Sequence, residues 1–78
     1  MSVHLTPREF QILKLVAFEH SSLEIARMLF VSNHTVLTHR KNLLMKLKAR
    51  NTAGLVRKAF ELGFLDIYTS LTSGQAAR

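Results

Sequence analysis

Cysteine is absent from the 78 residues, and proline, glycine, tyrosine and tryptophan are scarce or missing. Without a thiol the chain has no disulfide framework and no thiolate nucleophile, which fits a reducing compartment. No apolar run approaches the roughly 18 residues of a membrane span, and the first ten residues lack the order of a signal peptide. We therefore expect one small cytoplasmic domain that does not enter a membrane.

Acidic residues are few and unevenly placed. Five acids stand against eleven Lys and Arg, giving a net charge of +6, and no acid lies between Glu24 and Glu61. The basic residues in that interval are Arg27, Arg40, Lys41, Lys46, Lys48, Arg50, Arg57 and Lys58. A block of one sign attracts polyanions, either nucleic acid or an anionic membrane surface.

Residues for catalysis or metal binding do not form a recognisable set. The candidate metal ligands are His4, His20, His34 and His39. His34 and His39 point to different sides of one predicted helix, and no cysteine or nearby carboxylate completes a shell. There is no nucleophile motif and no glycine-rich phosphate loop. We predict that the chain is not an enzyme and holds neither a metal nor a cofactor.

Capping signatures divide the chain into helices. Thr6-Pro7-Arg8-Glu9 and Ser21-Ser22-Leu23-Glu24 each place a hydroxyl three residues before a glutamate, the pattern of a capping box. These boxes predict a first helix from about Pro7 to Phe18 and a second helix of about two turns. Strand alternations and internal repeats are absent, so the predicted fold class is all-α.

Two further caps complete a four-helix bundle. Ser32 precedes a third helix that runs to Lys48, and Asn51 precedes a fourth that runs to Leu62, where Gly63 suits a left-handed end. The second and third helices, joined by a brief turn, form a predicted helix-turn-helix. We expect residues 1–4 to be disordered, residues 5–65 to form the domain and residues 66–78 to be a flexible tail.

The predicted third helix has two different sides. At 100° per residue, its core side carries Val36, Arg40, Leu43, Leu44 and Leu47. Its other side carries His34, Leu37, Thr38, Lys41, Met45 and Lys48. That outward side has hydrogen-bonding groups in its first two turns and no acid, which suits a groove lined with base edges and phosphates. We predict base contacts from His34, Leu37, Thr38 and Lys41.

Other residues are placed for backbone or protein contacts. The predicted phosphate contacts lie at helix N-termini or beside the outward side, at Asn33, Thr35, Arg40, Lys46, Arg50 and Asn51. The fourth helix has more apolar surface than docking on a small core requires. This surplus suggests a partner, such as a second copy, at Val56, Ala59 and Phe60.

Several short motifs together resemble a known family. They are Leu5-Thr6-Pro7-Arg8-Glu9 with Ile12-Leu13, Glu24-Ile25-Ala26 with Leu29, Ser32 with Thr35-Val36 and His39, Leu44 with Lys46-Leu47, and Arg50-Asn51. This combination resembles the LuxR-type (GerE-like) helix-turn-helix domains of bacterial transcription regulators, without gaps from Leu5 to Leu65. The resemblance implies that the third helix enters the major groove of double-stranded DNA and that the fourth forms a homodimer contact.

The resemblance also implies a wider setting. Such domains are commonly the output half of two-component response regulators or ligand-sensing activators, so an N-terminal sensing or receiver domain is expected to be missing from this chain. RNA polymerase is then a candidate partner. Where the family often has glycine after the first helix the chain has Glu19, and Leu37 replaces the usual lysine. Glu19 must therefore avoid a left-handed conformation or bear its strain.

Two other functions fit parts of the pattern. The sigma-factor region that reads the −35 promoter element shares the Thr-x-Arg-Glu and Thr-Val motifs, but a capped fourth helix is not expected there. A basic helix with apolar sides also fits a protein-interaction or membrane-surface module. The two capping boxes and the tight turn favour a packed bundle over a lone surface helix.

Overall fold

The computed structural model describes residues 3–67, and these residues contain four α-helices and no strand. The helices are α1 (Pro7–Ala17), α2 (Ser22–Leu29), α3 (Asn33–Leu47) and α4 (Thr52–Glu61). The predicted all-α fold is therefore confirmed. Three predicted helix ends lie one residue too far along, because Phe18, Lys48 and Leu62 are the C-caps of their helices. Most of the predicted tail, residues 68–78, lies outside the described residues, as do residues 1–2.

Side chains cap all four helix N-termini. In the first capping box, the Glu9 backbone N–H donates to Thr6 Oγ1 at 3.1 Å and the Thr6 N–H donates to Glu9 Oε1 at 2.9 Å. Ser21 and Glu24 form the second box in the same way. Each box satisfies two backbone donors that would otherwise lack partners, which fixes where the helix begins.

In the described part of the chain, three residues with side chains adopt the left-handed conformation after a helix. Glu19 follows α1 with φ 69°, Phe30 ends α2 with φ 57° and Lys48 ends α3 with φ 56°. Glu19 thus bears the strain anticipated from the missing glycine. Phe30 is 94% exposed, so burial of its ring does not offset the steric cost of this conformation. Within residues 3–67, Gly63 is the one glycine in the left-handed region, with φ 85°, and it has no Cβ to strain.

α3 packs against each of the other three helices. The core is made of the buried residues Ile12, Leu13, Val16, Ile25, Ala26, Val36, Leu43, Leu47, Leu55, Ala59 and Leu65. The α3 members of this set lie on one side of the helix, as the periodicity predicts. Burial of that side fixes the rotation of α3 and therefore decides which of its residues face outward.

The chain is already in contact with the domain before α1 begins. Val3 packs against the core, and the His4 carbonyl accepts a hydrogen bond from Lys46 Nζ at 3.2 Å. These contacts extend the domain two residues upstream of its predicted boundary at Leu5.

Candidate nucleic-acid interface

The first half of α3 presents an exposed face opposite the core. His34, Leu37, Thr38 and Lys41 are all exposed, whereas Val36 on the opposite side is fully buried. The helix contains no acidic residue. The structure therefore brings together the residues predicted to contact bases. They offer an imidazole, an aliphatic side chain, a hydroxyl and an ammonium to any polyanion beside the helix.

The N-terminus of α3 uses some of its polar groups internally. The Thr35 N–H donates to Ser32 Oγ at 3.0 Å, and the two hydroxyls are 2.8 Å apart. Thr35 is half-buried, so its hydroxyl serves the cap, and we remove it from the predicted phosphate contacts. Asn33, the first residue of the helix, is exposed beside the backbone N–H groups of that end.

A second helix N-terminus lies beside the middle of α3. Arg40 Nη2 donates to Thr52 Oγ1 at 2.7 Å, which holds the start of α4 against α3. Asn51 caps α4 by accepting from the Gly54 N–H at 2.9 Å, and this cap does not use its amide nitrogen. Arg50 is exposed in the connection and forms no ion pair among the described residues. Arg40, Arg50 and Asn51 therefore form one polar cluster at the α3–α4 junction.

This junction also contains cations that were not predicted to contact phosphate. A groove of about 400 Å³ is lined by Lys48, Ala49, Arg50, Asn51, Gly54, Arg57, Lys58 and Glu61. Lys58 Nζ donates to the Lys48 carbonyl at 2.5 Å, so it satisfies an acceptor just beyond α3. Arg57 pairs with Glu61 at 3.1 Å. The acid-free interval indicated an excess of positive charge here, but periodicity alone does not show that Lys58 reaches back to α3.

Lys46 was predicted to contact phosphate, and the structure gives it a different role. Its ammonium lies 2.7 Å from Glu9 Oε1, and the Glu9 side chain is almost fully buried. Burial alone would raise the pKa of Glu9, but the hydrogen bond and charge of Lys46, together with the Thr6 N–H, bring that pKa below its ordinary value. Because its charge is balanced by Glu9, we remove Lys46 from the phosphate contacts.

His39 lies between the exposed and buried sides of α3. It is half-buried, and its Nδ1 atom is buried without a hydrogen-bond partner. The described residues contain no group of three or more His, Cys, Asp or Glu side chains that could hold a metal ion. The described part of the chain also has no helix long and apolar enough to cross a bilayer.

The predicted dimer residues on α4 differ in exposure. Phe60 is 43% exposed, and Val56 is half-buried against the core. Ala59 has no exposed surface because it packs inside the bundle. Its side chain cannot meet a second copy, so assigning Ala59 to an interface was wrong. Phe60 and the edge of Val56 contribute apolar surface that α4 leaves open.

Sequence comparison relates the chain to known regulators. A family model described as bacterial regulatory proteins, luxR family, matches residues 3–59. Over 61 residues the chain is 48% identical to the transcriptional regulatory protein MctR of Rhizobium johnstonii, a match covering 78% of this chain and 28% of MctR. Over 62 residues it is 39% identical to the oxygen regulatory protein NreC of Staphylococcus carnosus, covering 80% and 29% of the two chains. The chain thus spans less than a third of either relative.

Solved structures share the fold. The transcription factor GerE superimposes with a TM-score of 0.74 and 31% identity, over 80% of this chain and 92% of GerE. VqmA of Vibrio cholera, in a complex with ligand and DNA, gives a TM-score of 0.76 and 30% identity. That match covers 82% of this chain and 28% of VqmA, so the shared unit is a minor part of the longer VqmA chain.

Proposed function

We propose, from the premise that the chain belongs to the LuxR family of bacterial regulatory proteins, that it binds specific double-stranded DNA sequences. In this proposal, α3 lies in the major groove and the chain is the output domain of a two-component response regulator. The observation that carries the proposal is the two-sided character of α3. One side is buried in the core, and the other exposes His34, Leu37, Thr38 and Lys41 without any acid. A helix of this kind fits the width of the major groove and offers side chains to base edges.

Backbone contacts would fix how α3 enters the groove. The candidates are Asn33 at the start of α3 and the cluster of Arg40, Arg50 and Asn51 at the α3–α4 junction. Asn33 lies at the N-terminus of α3, and the junction cluster lies at the N-terminus of α4. At both places cationic or amide side chains stand beside backbone N–H groups that favour phosphate. Phosphate contacts at two separated points would set the register and tilt of α3 without reading sequence.

The oligomeric part of the proposal is a homodimer through α4. Phe60 is an exposed apolar residue near the C-terminal end of α4, and the Arg57–Glu61 pair beside it offers one charge of each sign to a symmetric copy. An isologous contact would pair these charges across a two-fold axis and place two copies of α3 on paired half-sites.

The wider setting is proposed from the relatives. MctR is a transcriptional regulatory protein and NreC an oxygen regulatory protein, and each is more than three times as long as the matched segment. A sensing or receiver domain N-terminal to this one would supply the signal, and RNA polymerase would be the downstream partner. The fully formed, capped α4 favours this function over the sigma-factor region.

Selection of random duplexes with the purified chain tests the proposal. We expect an enriched, palindromic consensus. For each phosphate neutralised, log K for this consensus should fall by about 0.9 per tenfold rise in salt concentration. Sequence preference should persist after the salt-dependent part is removed. Equal affinity for all duplexes, together with binding to anionic vesicles, would favour the membrane-surface function instead.

A further inference from the structure

Leu37 is chemically different from the other residues on the exposed face of α3. It lies in the second turn, next to Thr38 and one turn before Lys41, and it is 48% exposed. Its side chain neither donates nor accepts a hydrogen bond. It therefore cannot distinguish adenine, guanine or cytosine by the polar pattern that these bases show in the major groove.

Thymine alone presents an apolar group there, the 5-methyl group. Resting on the function proposed above, we propose that Leu37 reads this methyl group, so that each half-site contains a T·A pair opposite Leu37. Contact would cover a leucine side chain and a methyl group that are both exposed before binding, and removal of apolar surface from water is favourable. At any other base pair, Leu37 would cover a polar base edge without bonding to it.

The rest of the face narrows the recognised sequence. α3 has no carboxylate to accept from the cytosine amino group, and Lys41 is the lysine of the exposed face. Lysine is a donor to guanine O6 and N7. Leu37 and Lys41 are four residues apart, a rise of about 6 Å along the helix. Because stacked bases are about 3.4 Å apart, the thymine and a guanine read by Lys41 should lie about two base pairs apart.

Uracil substitution tests the contact atom by atom. The probes are the consensus duplex recovered by selection and copies in which each thymine in turn is replaced by deoxyuridine, which removes only the methyl group. For the unaltered chain, we expect one thymine per half-site at which this change weakens binding about fourfold, the effect of one buried methyl. In Leu37→Ala, the same replacement should change affinity by less than about 1.5-fold, because the side chain that contacts the methyl group has been removed.

Thr38→Ser is the matched control, because it removes the other exposed methyl group of this face and retains the hydroxyl. It should keep the full uracil sensitivity at the Leu37 position. The inference is overturned if no thymine is sensitive, if Leu37→Ala keeps the sensitivity, or if Thr38→Ser loses it. A selection that returns no consensus would overturn the proposed function itself, whereas a consensus indifferent to uracil would overturn only the role of Leu37.

Discussion

Replacement of Lys46 by methionine tests how α3 is fixed against α1. The Lys46 ammonium lies 2.7 Å from a Glu9 oxygen, and the side chain of Lys46 is 37% exposed while that of Glu9 is 5% exposed. Methionine preserves most of the apolar stem but removes the charge. Glu9 would then keep its contacts with Thr6, among them the hydrogen bond from the Thr6 N–H at 2.9 Å.

Two reference values set the expected loss of stability. Breaking a fully buried ion pair costs about 3–5 kcal/mol, and a hydrogen bond to a charged group contributes about 1.5–3 kcal/mol. Because water reaches Lys46 and screens the pair, we expect Lys46→Met to lower the free energy of unfolding by about 2 kcal/mol. For a domain of this size, that loss corresponds to a fall in Tm of about 8–16 °C.

Urea denaturation followed by circular dichroism measures this loss. Lys41→Met is the control, since it removes an exposed lysine from the same helix, and it should change stability by less than about 0.5 kcal/mol. The double variant Lys46→Met with Glu9→Gln should lose less unfolding free energy than the sum of the losses in the two single variants, because the charges act as a pair. Equal, small effects of Lys46→Met and Lys41→Met would refute the role assigned to the ion pair.

The pair also predicts a pH dependence of stability. The pKa of Glu9 is lower in the folded protein than its ordinary value of 4.5, so the folded state binds fewer protons there than the unfolded state does. The stabilisation is therefore fully present above pH 4.5 and is lost as pH falls through the folded pKa. The stability difference between the unaltered chain and Glu9→Gln should be constant near neutral pH and shrink in acid.

Two further predictions concern Phe30 and Phe60. Phe30→Gly should raise the free energy of unfolding by about 0.5–1 kcal/mol, because glycine relieves the left-handed strain. Phe30→Ala keeps that strain and should not be stabilised. Urea titration that shows no difference between the two variants would contradict this prediction. Phe60→Gln should abolish cooperative binding to a duplex with two half-sites, as measured by electrophoretic mobility shift. Leu62→Gln is the control, since it changes another exposed apolar residue near the end of α4, and it should leave cooperative binding intact. Phe60 is a cleaner choice than Val56, because Val56 also packs on the core. Unchanged cooperativity in Phe60→Gln would remove α4 from the proposed interface.

Local signals in the sequence predicted the helices and the orientation of α3. A capping box joins residues only three positions apart, so residue types alone locate the starts of α1 and α2. Periodicity likewise separated Val36 from Thr38 and Lys41, because one side of α3 had to be buried.

The remaining features depend on how the helices pack. Glu9 and Lys46 are 37 positions apart, and only the packing of α1 on α3 brings them together. Ala59 was assigned to an interface because a helical pattern does not tell one apolar side, packed on the core, from another that is left open. The left-handed conformation of Phe30 was not predicted, because a left-handed residue after a helix is usually glycine and residue 30 is phenylalanine.

The exposed face of α3 is tested most directly by comparing Lys41→Ala with Arg50→Ala on a cognate and a random duplex. Lys41→Ala should reduce discrimination between the two duplexes by about 1–3 kcal/mol, whereas Arg50→Ala should weaken binding to both alike and reduce the salt slope by about 1. Measured dissociation constants at several salt concentrations give both quantities. If Lys41→Ala instead weakened binding to both duplexes equally, Lys41 would not read sequence, and its central place in the proposed recognition face would be contradicted.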